Sequence, residues 1–500
     1  MHPQTLLALW LGKFIQIFLK LFPQFGGRAA PGLIALKIDP RLVKNLSAQI
    51  PIHIMISGTN GKTTTTKMVY QILKKEKFKI IINKAGSNLS RGLASSLIRE
   101  SGLLGKLKHK IAVWEIDEFA LLELTKQIKP QILVLTNLFR DQLDRYGEID
   151  TIAQKWKKAI KSLPKKSTLI LNADDPTLSS FSKLFKNSFC FGFAPSVKLK
   201  KKPEHASDAT LCPLCLKPLT YKSVSYSHLG NFKPCSCSFT QSKKQIIAKN
   251  IFQKQNASRF DIKVKSQTFP LNLPLPGTFN IYNALAALAV AQNLNLSLEK
   301  AIKTLENFKA AFGRSEEIKA STKAIKLMLI KNPTGFNQVI DTLTHCRPSL
   351  QNRLQARPVI KKLTLLIAIN DKIADGRDVS WLWDANIEKL SPYIKKAIIS
   401  GTRVYDMALR AKYASHQSPQ PEGGQAATSH QQKGAVKQLN NGTIEQWKEN
   451  TIIEPDLNKA VNTLLARKDR NLFILPTYTA MLEIREILRK KGLVESSWKE

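Results

Sequence analysis

Short apolar runs alternate with longer segments of helical spacing between residues 50 and 195. The runs at 52–56, 79–82, 111–116, 131–136, 168–171 and 188–193 read as buried strands, and 63–75, 92–99, 118–128 and 151–162 as the helices between them. That alternation predicts a parallel α/β sheet with crossover helices. Ligands bind such sheets at the carboxyl ends of the strands, so polar loops there carry the chemistry. A second alternation starts near 318, with strands over 325–330 and 363–369 and apolar segments at 472–476 and 478–488. The pattern divides the chain into an N-terminal helix and loop (1–45), a central α/β domain (46–315) and a second α/β domain (316–500). Residues 414–442, rich in Gln, Ser, Gly, Pro and Ala, interrupt the last of these as a disordered insertion without catalytic content.

Residues 5–22 are strongly apolar but include Lys13 and Lys20. The segment is either a helix packed on the next domain or an interfacial helix with its lysines among lipid headgroups. The first is the expectation, because a hydrophobic helical stripe normally belongs to a core. No run approaches the ~20 apolar residues of a membrane span, and no small-residue cleavage site follows the first apolar stretch. A cytoplasmic protein is expected, with contact to the inner face of the plasma membrane left open.

The first strand runs into Gly58-Thr59-Asn60-Gly61-Lys62-Thr63-Thr64. Strand, glycine turn and helix start, in that order, are what triphosphate binding needs. Glycines let backbone N–H groups approach phosphate oxygens, and the helix N-terminus adds partial positive charge. Lys62 is placed to neutralise the β- and γ-phosphates and the Thr63 hydroxyl to ligate Mg²⁺. The loop is one step shorter than the commonest spacing, since Ile56 stands where that pattern has glycine. Three further strand-end loops are polar: Asn83 to Gly92, Glu115-Ile-Asp117-Glu118, and Thr136-Asn137 to Gly147. The carboxylates of the second suit Mg²⁺ held against phosphates. Asn280 and Asn283 open an alanine-rich helix, where their amides suit a ribose or base, or a helix cap. Arg314 lies at a composition shift that reads as a hinge, from which it can reach a γ-phosphate. In the second domain a strand ends in Asn370-Asp371, followed by Asp375-Gly-Arg-Asp378-Val-Ser-Trp381-Leu-Trp383, unusually acidic and aromatic for a connector.

Four of the six cysteines cluster, as Cys212-Pro-Leu-Cys215, nineteen residues, then Cys235-Ser-Cys237. Thiolates so spaced form the two knuckles of a tetrahedral zinc site, predicting a Cys₄ ribbon inserted over 205–245. The second pair is tighter than the usual C-x-x-C, and His228 is an alternative ligand. Cys190 and Cys346 stand alone, and burial explains them. This cysteine usage fits a reducing compartment. Lys and Arg number 77 against 37 Asp and Glu, a net charge of +40. Such a chain favours anionic partners, but the charge is spread along its length and names none.

Taken together, the run from Gly58 to Thr66, the strand-end carboxylates, Thr136-Asn-x-x-Arg140-Asp-Gln142-Leu-Asp144, the Asn280/Asn283 helix and Gly313-Arg-x-Glu316 resemble the Mur ligase family. Those enzymes join amides by phosphorylating a carboxylate with ATP. Lys331-Asn-Pro-x-Gly-Phe-Asn337 and Ala374-Asp-Gly-Arg-Asp-Val-Ser-Trp381 resemble its isoglutaminyl synthase branch, and the likeness spans about 26–412 and 452–490. It implies a Mur ligase-like central P-loop domain, with ATP, Mg²⁺ and Zn²⁺ as cofactors. The activity implied is amidation of the D-glutamate α-carboxylate of the lipid II stem peptide to D-isoglutamine through an acyl phosphate. Nucleotide and metal would be held by Gly58, Thr59, Asn60, Gly61, Lys62, Thr63, Thr64, Glu115, Asn137, Asn280, Asn283 and Arg314, with Lys62 and Arg314 catalytic. Gln142 stands where many Mur ligases carry a histidine, and the 414–442 insertion has no counterpart in the family.

Neither Cys190 nor Cys346 lies in a glycine-flanked nucleophile turn. The resemblance therefore implies a separate GatD-type glutamine amidotransferase, in a heterodimer, as the ammonia source. Asp375 or Asp378 would contribute to that partner's site, and Trp381 and Trp383 would face it or pack in the core. A folylpolyglutamate-like ligase is one rival, against which the Ala374–Asp378 segment argues. A zinc-ribbon nucleic-acid-dependent ATPase is another; it gives the Asn280/Asn283 helix and Arg314 no place, and no nucleic acid is expected.

Overall fold

The structure is a computed structural model that describes residues 2–22, 29–83, 87–140, 149–197, 203, 207–254, 256–309, 314–320, 322–344, 362–414, 447 and 449–494, with backbone only for 314 and 315. Asp141 to Gly147, Phe312-Gly313, Cys346 and nearly all of the 414–442 insertion lie outside the described residues. The chain forms two compact units that divide after Lys309.

The first unit is built on one nine-stranded sheet. Its strands are β1 (Ile52–Ser57), β2 (Ile80–Ile82), β3 (Ile111–Glu115), β4 (Ile132–Leu135), β5 (Thr168–Asn172) and β6 (Ser188–Phe193); then, past a separate hairpin of β7 (Tyr221–Tyr226) and β8 (Leu229–Phe232), come β9 (Ile246–Gln253), β10 (Ser258–Val264) and β11 (Gln267–Leu273). The order is β2-β3-β1-β4-β5-β6-β9-β10-β11. Every residue of β3 and β4 is buried, which is why they read as unbroken apolar runs: parallel strands are covered on both faces. Parallel pairing stops at β9, and β9, β10 and β11 pair antiparallel. The sheet is thus mixed rather than purely parallel. β10 alternates buried Ser258, Phe260, Ile262 and Val264 with more exposed residues, the mark of a strand with one wet face. Lys265, at φ 54°, turns the chain tightly into β11.

Helices α1 (Pro3–Leu21), α2 (Ala30–Ile38) and α3 (Leu42–Ser47) precede the sheet. The crossovers are α4 (Lys62–Lys75), α5 (Ser90–Glu100), α6 (Leu121–Gln127), α7 (Ile149–Lys161) and α8 (Pro176–Phe181); α9 (Thr278–Asn293) and α10 (Leu298–Glu306) close the unit. α1 packs on α2, α3 and α5, as expected of a helix docked on the next domain. Its 19 residues are nevertheless long and apolar enough to cross a membrane by length and composition, which corrects the expectation that no segment is. The two lysines had masked it.

In the second unit β12 (Arg314–Ala320), β13 (Lys323–Met328), β14 (Leu363–Ala368), β15 (Ile394–Ser400), β16 (Thr451–Ile453) and β17 (Asn471–Pro476) lie in the order β12-β13-β17-β14-β15-β16. Only the β12–β13 pair is antiparallel. Helices α11 (Pro333–Thr344), α12 (Val404–Tyr413), α13 (Leu457–Leu465) and α14 (Tyr478–Lys490) cover it. Trp381 packs edge-on against Phe336 at 6.3 Å, whereas Trp383 stays 48% exposed near Arg410 and Tyr413.

His53 joins β1 to β3 inside the first core. Its Nδ1 accepts from the Trp114 indole N–H at 3.0 Å, and since indole can only donate, the ring proton sits on Nε2, which donates to Ser47 O at 3.1 Å. Burial pushes its pKa from 6.5 down to about 4. The unfolded chain then binds the extra proton first, so stability falls as pH drops from 6.5 towards 4, by about 3 kcal/mol from this group. Denaturant melts of wild type and His53→Gln should converge by that amount over this window; parallel curves would refute the assignment.

Candidate functional site

β1 delivers the chain into a turn that two glycines make possible. Gly58 (φ 143°) and Gly61 (φ 88°) take positive angles, and a Cβ on them would lie 2.0 Å from Thr136 Oγ1 and 2.1 Å from Asn283 Oδ1. Helix α4 begins at Lys62, with Gly61 as its N-cap. The N–H groups of its first turn have no helical acceptor and point into the loop, which is an anion cradle.

The loop is braced from behind on two sides. Asn60 N–H donates to Asn137 Oδ1 at 2.8 Å, and Asn137 Nδ2 and Thr136 Oγ1 both donate to Asn60 O at 2.9 Å. Thr59 Oγ1 donates to Phe139 O and accepts from Phe139 N–H. On the other side Thr65 Oγ1 donates to Asn283 Oδ1 at 3.3 Å, Asn283 Nδ2 donates to Asn280 Oδ1 at 3.2 Å, and Asn280 Nδ2 donates to Pro276 O at 2.7 Å. The structure thus gathers Thr59, Asn60, Asn137, Asn280 and Asn283 around the loop, with the side-chain amides of Asn137, Asn280 and Asn283 spent on the protein itself rather than turned outward.

Lys62 is buried, and its ammonium donates to Gly58 O, to Thr59 O at 3.2 Å and to Glu118 Oε2 at 2.8 Å. Sequence reading placed Glu118 among the strand-end carboxylates but missed that it is the partner of Lys62. Glu118 is itself held where Trp156 Nε1 donates to its carbonyl at 2.8 Å. Asn83 stitches the loops after β2 and β3 together: it accepts from Glu115 N–H at 2.8 Å and donates to Glu115 O at 2.9 Å and Ser87 O at 2.8 Å. The Glu115 carboxylate is buried and makes no hydrogen bond to any described residue. With the half-buried Thr63 hydroxyl it supplies hard oxygen donors suited to Mg²⁺. Arg314 lies on β12, and its side chain is outside the described residues.

The four cysteines converge: Sγ atoms of Cys212 and Cys237 are 3.6 Å apart, those of Cys215 and Cys235 3.5 Å, and all four lie within 4.8 Å of one another. The shorter second pair reaches because each knuckle turns on a positive-φ residue just after its last cysteine, Leu216 (60°) and Ser238 (63°). Hydrogen bonding from the Cys237 backbone N–H lowers the pKa of the Cys235 thiol, whereas the thiols of Cys212 and Cys215 are raised, so the four share their charge as one cluster. Such a set could hold a metal ion. His228 is not part of it: the ring is buried against Phe139 (4.7 Å) and lies 3.5 Å from Asp175 Oδ2. Cys190 is buried, its thiol pushed up to about 12 by desolvation.

The ribbon is tied to the nucleotide side of the sheet. Arg140 N–H and Nε donate to the Asp208 carboxylate at 2.9 and 2.6 Å, and Leu138 N–H donates to Asp175 Oδ2 at 2.9 Å. Behind it Asp174 accepts from Tyr282 OH and Phe193 N–H, both at 2.7 Å, and pairs with Lys244. Burial holds the Tyr282 phenol well above its usual range. The Asn172-Ala-Asp-Asp175 stretch follows a strand that the pattern predicts, so the signal for this network was present.

In the second unit Asp375 is buried, and both its oxygens accept from Thr479, one from the N–H at 2.8 Å and one from the hydroxyl. Desolvation raises its pKa. Asp378 is half-exposed and accepts from Ser380 N–H at 2.8 Å.

The family profile of the Mur ligase middle domain matches residues 56–210 and 220–291, and that of the MurT ligase C-terminal region matches 329–481. The lipid II isoglutaminyl synthase (glutamine-hydrolyzing) subunit MurT of Staphylococcus aureus (strain COL) is 34% identical over 79% of this chain and 84% of its own length. Its namesake from Streptococcus pneumoniae (strain ATCC BAA-255 / R6) is 30% identical over 99% of both. A pseudomurein peptide ligase type C from Methanothermus fervidus shares the fold, with a TM-score of 0.61 at 23% identity over 90% of this chain and 81% of that one.

The Asn283 brace yields a direct test. Asn283→Ala removes the hydrogen bond to Thr65 and the wall beside Gly61, so MgATP affinity by calorimetry should fall about tenfold, near 1.4 kcal/mol. Unchanged affinity would show that the loop holds its shape without the asparagine.

Proposed function

The chain belongs to the MurT family of Mur ligases, and from that premise we propose that it is the ligase subunit of a two-component lipid II isoglutaminyl synthase. It would convert the α-carboxylate of D-glutamate in the stem peptide to a carboxamide. The observation that carries the reading is the braced β1–α4 loop with its buried lysine, in a chain whose likeness to MurT proteins runs through both units.

A carboxylate resists ammonia because its oxygens are poor leaving groups. Phosphoryl transfer from ATP remedies this, giving an acyl phosphate from which ammonia displaces phosphate. The protein's part is positioning and charge neutralisation. The Gly58–Thr64 loop would seat the phosphates on backbone N–H groups. Lys62, already desolvated beside Glu118, would transfer its charge from that carboxylate to the β- and γ-phosphates. Thr63 and Glu115 would hold Mg²⁺, which supplies a further positive charge against the triphosphate. Asn137, Asn280 and Asn283 would keep the loop in shape, and Arg314 enters on its sequence position alone, as the group reaching the γ-phosphate. The four cysteines would hold Zn²⁺ as a structural ion.

Ammonia would come from a GatD-type glutamine amidotransferase subunit in the cytoplasm. Of the two aspartates, Asp378 is the one offered to that partner: it is half-exposed, and among the described residues only its Oδ1 is engaged, whereas Asp375 is buried with both oxygens bonded to Thr479.

Two measurements test this reading. In a complex reconstituted with the partner, lipid II, glutamine and ATP, Lys62→Ala should lower isoglutamine formation by about 10²–10³-fold, the usual effect of losing one transition-state donor. The readout is mass spectrometry of the stem peptide, where OH is replaced by NH₂; amidation persisting at the wild-type rate would reject the mechanism. Elemental analysis should find zinc equimolar with the chain, and Cys212→Ser should release it and lower the melting temperature; a metal-free, equally stable wild type would reject the ribbon.

A further inference from the structure

α1 is two-faced, with a buried inner face and an exposed apolar outer one. Inward, Thr5, Ala8, Leu9 and Gly12 are buried, so close to the neighbouring helices that a Cβ on Gly12 would sit 2.7 Å from Ile98 Cδ1 and 3.5 Å from Ala35 Cβ. Outward, Leu7, Trp10, Phe14, Ile17, Phe18 and Leu21 form one exposed strip, with Phe14 65% and Leu21 70% accessible. The strip continues onto Leu103 and Leu104, the exposed tip of the loop after α5, because Trp10 Nε1 donates to Leu103 O at 2.8 Å. So continuous an apolar surface marks an interaction site rather than scatter.

The helix is fastened down along its inner side. Gln4 Nε2 donates to Ile38 O and Gln16 Nε2 to Ser95 O, both at 2.7 Å, while Lys13 Nζ donates to Ile98 O at 2.8 Å and to Ser101 O at 2.5 Å. Spanning a bilayer would break all four and bury the Lys13 ammonium, so the helix is built to lie flat. Lys13 therefore faces inward, and the cations beside the strip are Lys20, Lys106 and Lys108, all exposed.

Two properties name the occupant. The side chains of the strip on α1 carry one hydrogen-bonding group, the Trp10 N–H, and it is already engaged, whereas protein interfaces carry about one hydrogen bond per 100–200 Å². Residues 1–50 also contain six bases, Lys13, Lys20, Arg28, Lys37, Arg41 and Lys44, against one acid, Asp39. That acid is buried and accepts from Thr5 Oγ1 at 2.6 Å. Apolar strip, aromatic rings and flanking lysines match the acyl–headgroup boundary of an anionic membrane. We propose that the outer face of α1, with the Leu103–Leu104 tip, docks the protein on an anionic bilayer surface. This goes beyond the catalytic reading and does not depend on it.

Co-sedimentation of the full chain with vesicles tests the docking. Wild type should bind vesicles containing phosphatidylglycerol, bind pure phosphatidylcholine at least tenfold more weakly, and loosen as salt rises. Phe14→Glu/Phe18→Glu should cut binding to the anionic vesicles at least tenfold while ATP affinity and melting temperature stay at wild-type values, which keeps the test separate from folding and from catalysis. Equal binding by the double variant, or none by wild type, overturns the proposal. So does a double variant that instead breaks a dimer or releases the amidotransferase subunit, since the face would then belong to protein.

Discussion

One close approach holds the nucleotide side of this molecule together: the bare Cα of Gly61 against the carboxamide of Asn283, where a Cβ would sit 2.1 Å from Oδ1. It fixes the distance between α4 and α9, and so the direction in which the first turn of α4 aims its N–H groups. α9 can come this near because its alanines leave little side chain between it and its neighbours; residues 280 to 291 are buried without exception. The opposite wall is Asn137, whose amide clasps both backbone groups of Asn60. A loop pinned this way resists reshaping when a triphosphate arrives, so less binding energy goes into ordering it. Lys62 follows the same logic, since its ammonium is desolvated and charge-paired by Glu118 beforehand.

The ribbon extends that frame. Asp208, four residues before Cys212, holds Arg140 through both backbone and side chain, and Arg140 follows the Asn137–Phe139 segment that braces the loop. His228, in the turn between β7 and β8, reaches Asp175, which also accepts from Leu138. Folding the cysteine knuckles therefore sets one end of a chain of contacts whose other end is the phosphate loop. The ribbon's own core is small, with Cys212, Phe232 and Phe239 at its centre. So few buried apolar groups seldom hold a module closed, and metal ligation is the usual supplement.

What the sequence made legible was whatever is local. Strand, glycine turn, lysine and helix start lie within one stretch, so the phosphate loop and the strands flanking it could be read from period and turn chemistry. The cysteines could be grouped by spacing. The braces could not, because they depend on which strand ends lie side by side. Asn283 meets Gly61, and Tyr282 meets Asp174, only after the sheet has ordered its strands. The asparagine amides read as ligands because a polar group beside a site is indistinguishable, in sequence, from one aimed into it. The β9–β11 hairpins were missed for another reason: Phe260, Ile262 and Val264 alternate at period two, but the stretch around them is broken by scattered lysines and side-chain amides. His228 looked like a metal ligand because it lies between the two cysteine pairs. The positive φ of Ser238, which lets C-x-C close the site without it, has no sequence signature.

In the second unit a buried acid helps tie one loop down. Asp375 accepts from the N–H and hydroxyl of Thr479, in the first turn of α14, and Asn370 accepts from Thr402 N–H and donates to Thr479 Oγ1. Asn370 N–H in turn donates to Thr477 Oγ1 at 2.9 Å. The loop after β14 is therefore tied to the end of β17 at several points. Desolvation of Asp375 works against its charged form, while hydrogen bonds from Thr479 favour it. Asp378 follows in the same loop, its Oδ1 accepting from Ser380 N–H. Two aspartates three apart in one motif thus stand in different surroundings: Asp375 is buried against Thr479, and Asp378 is half-exposed.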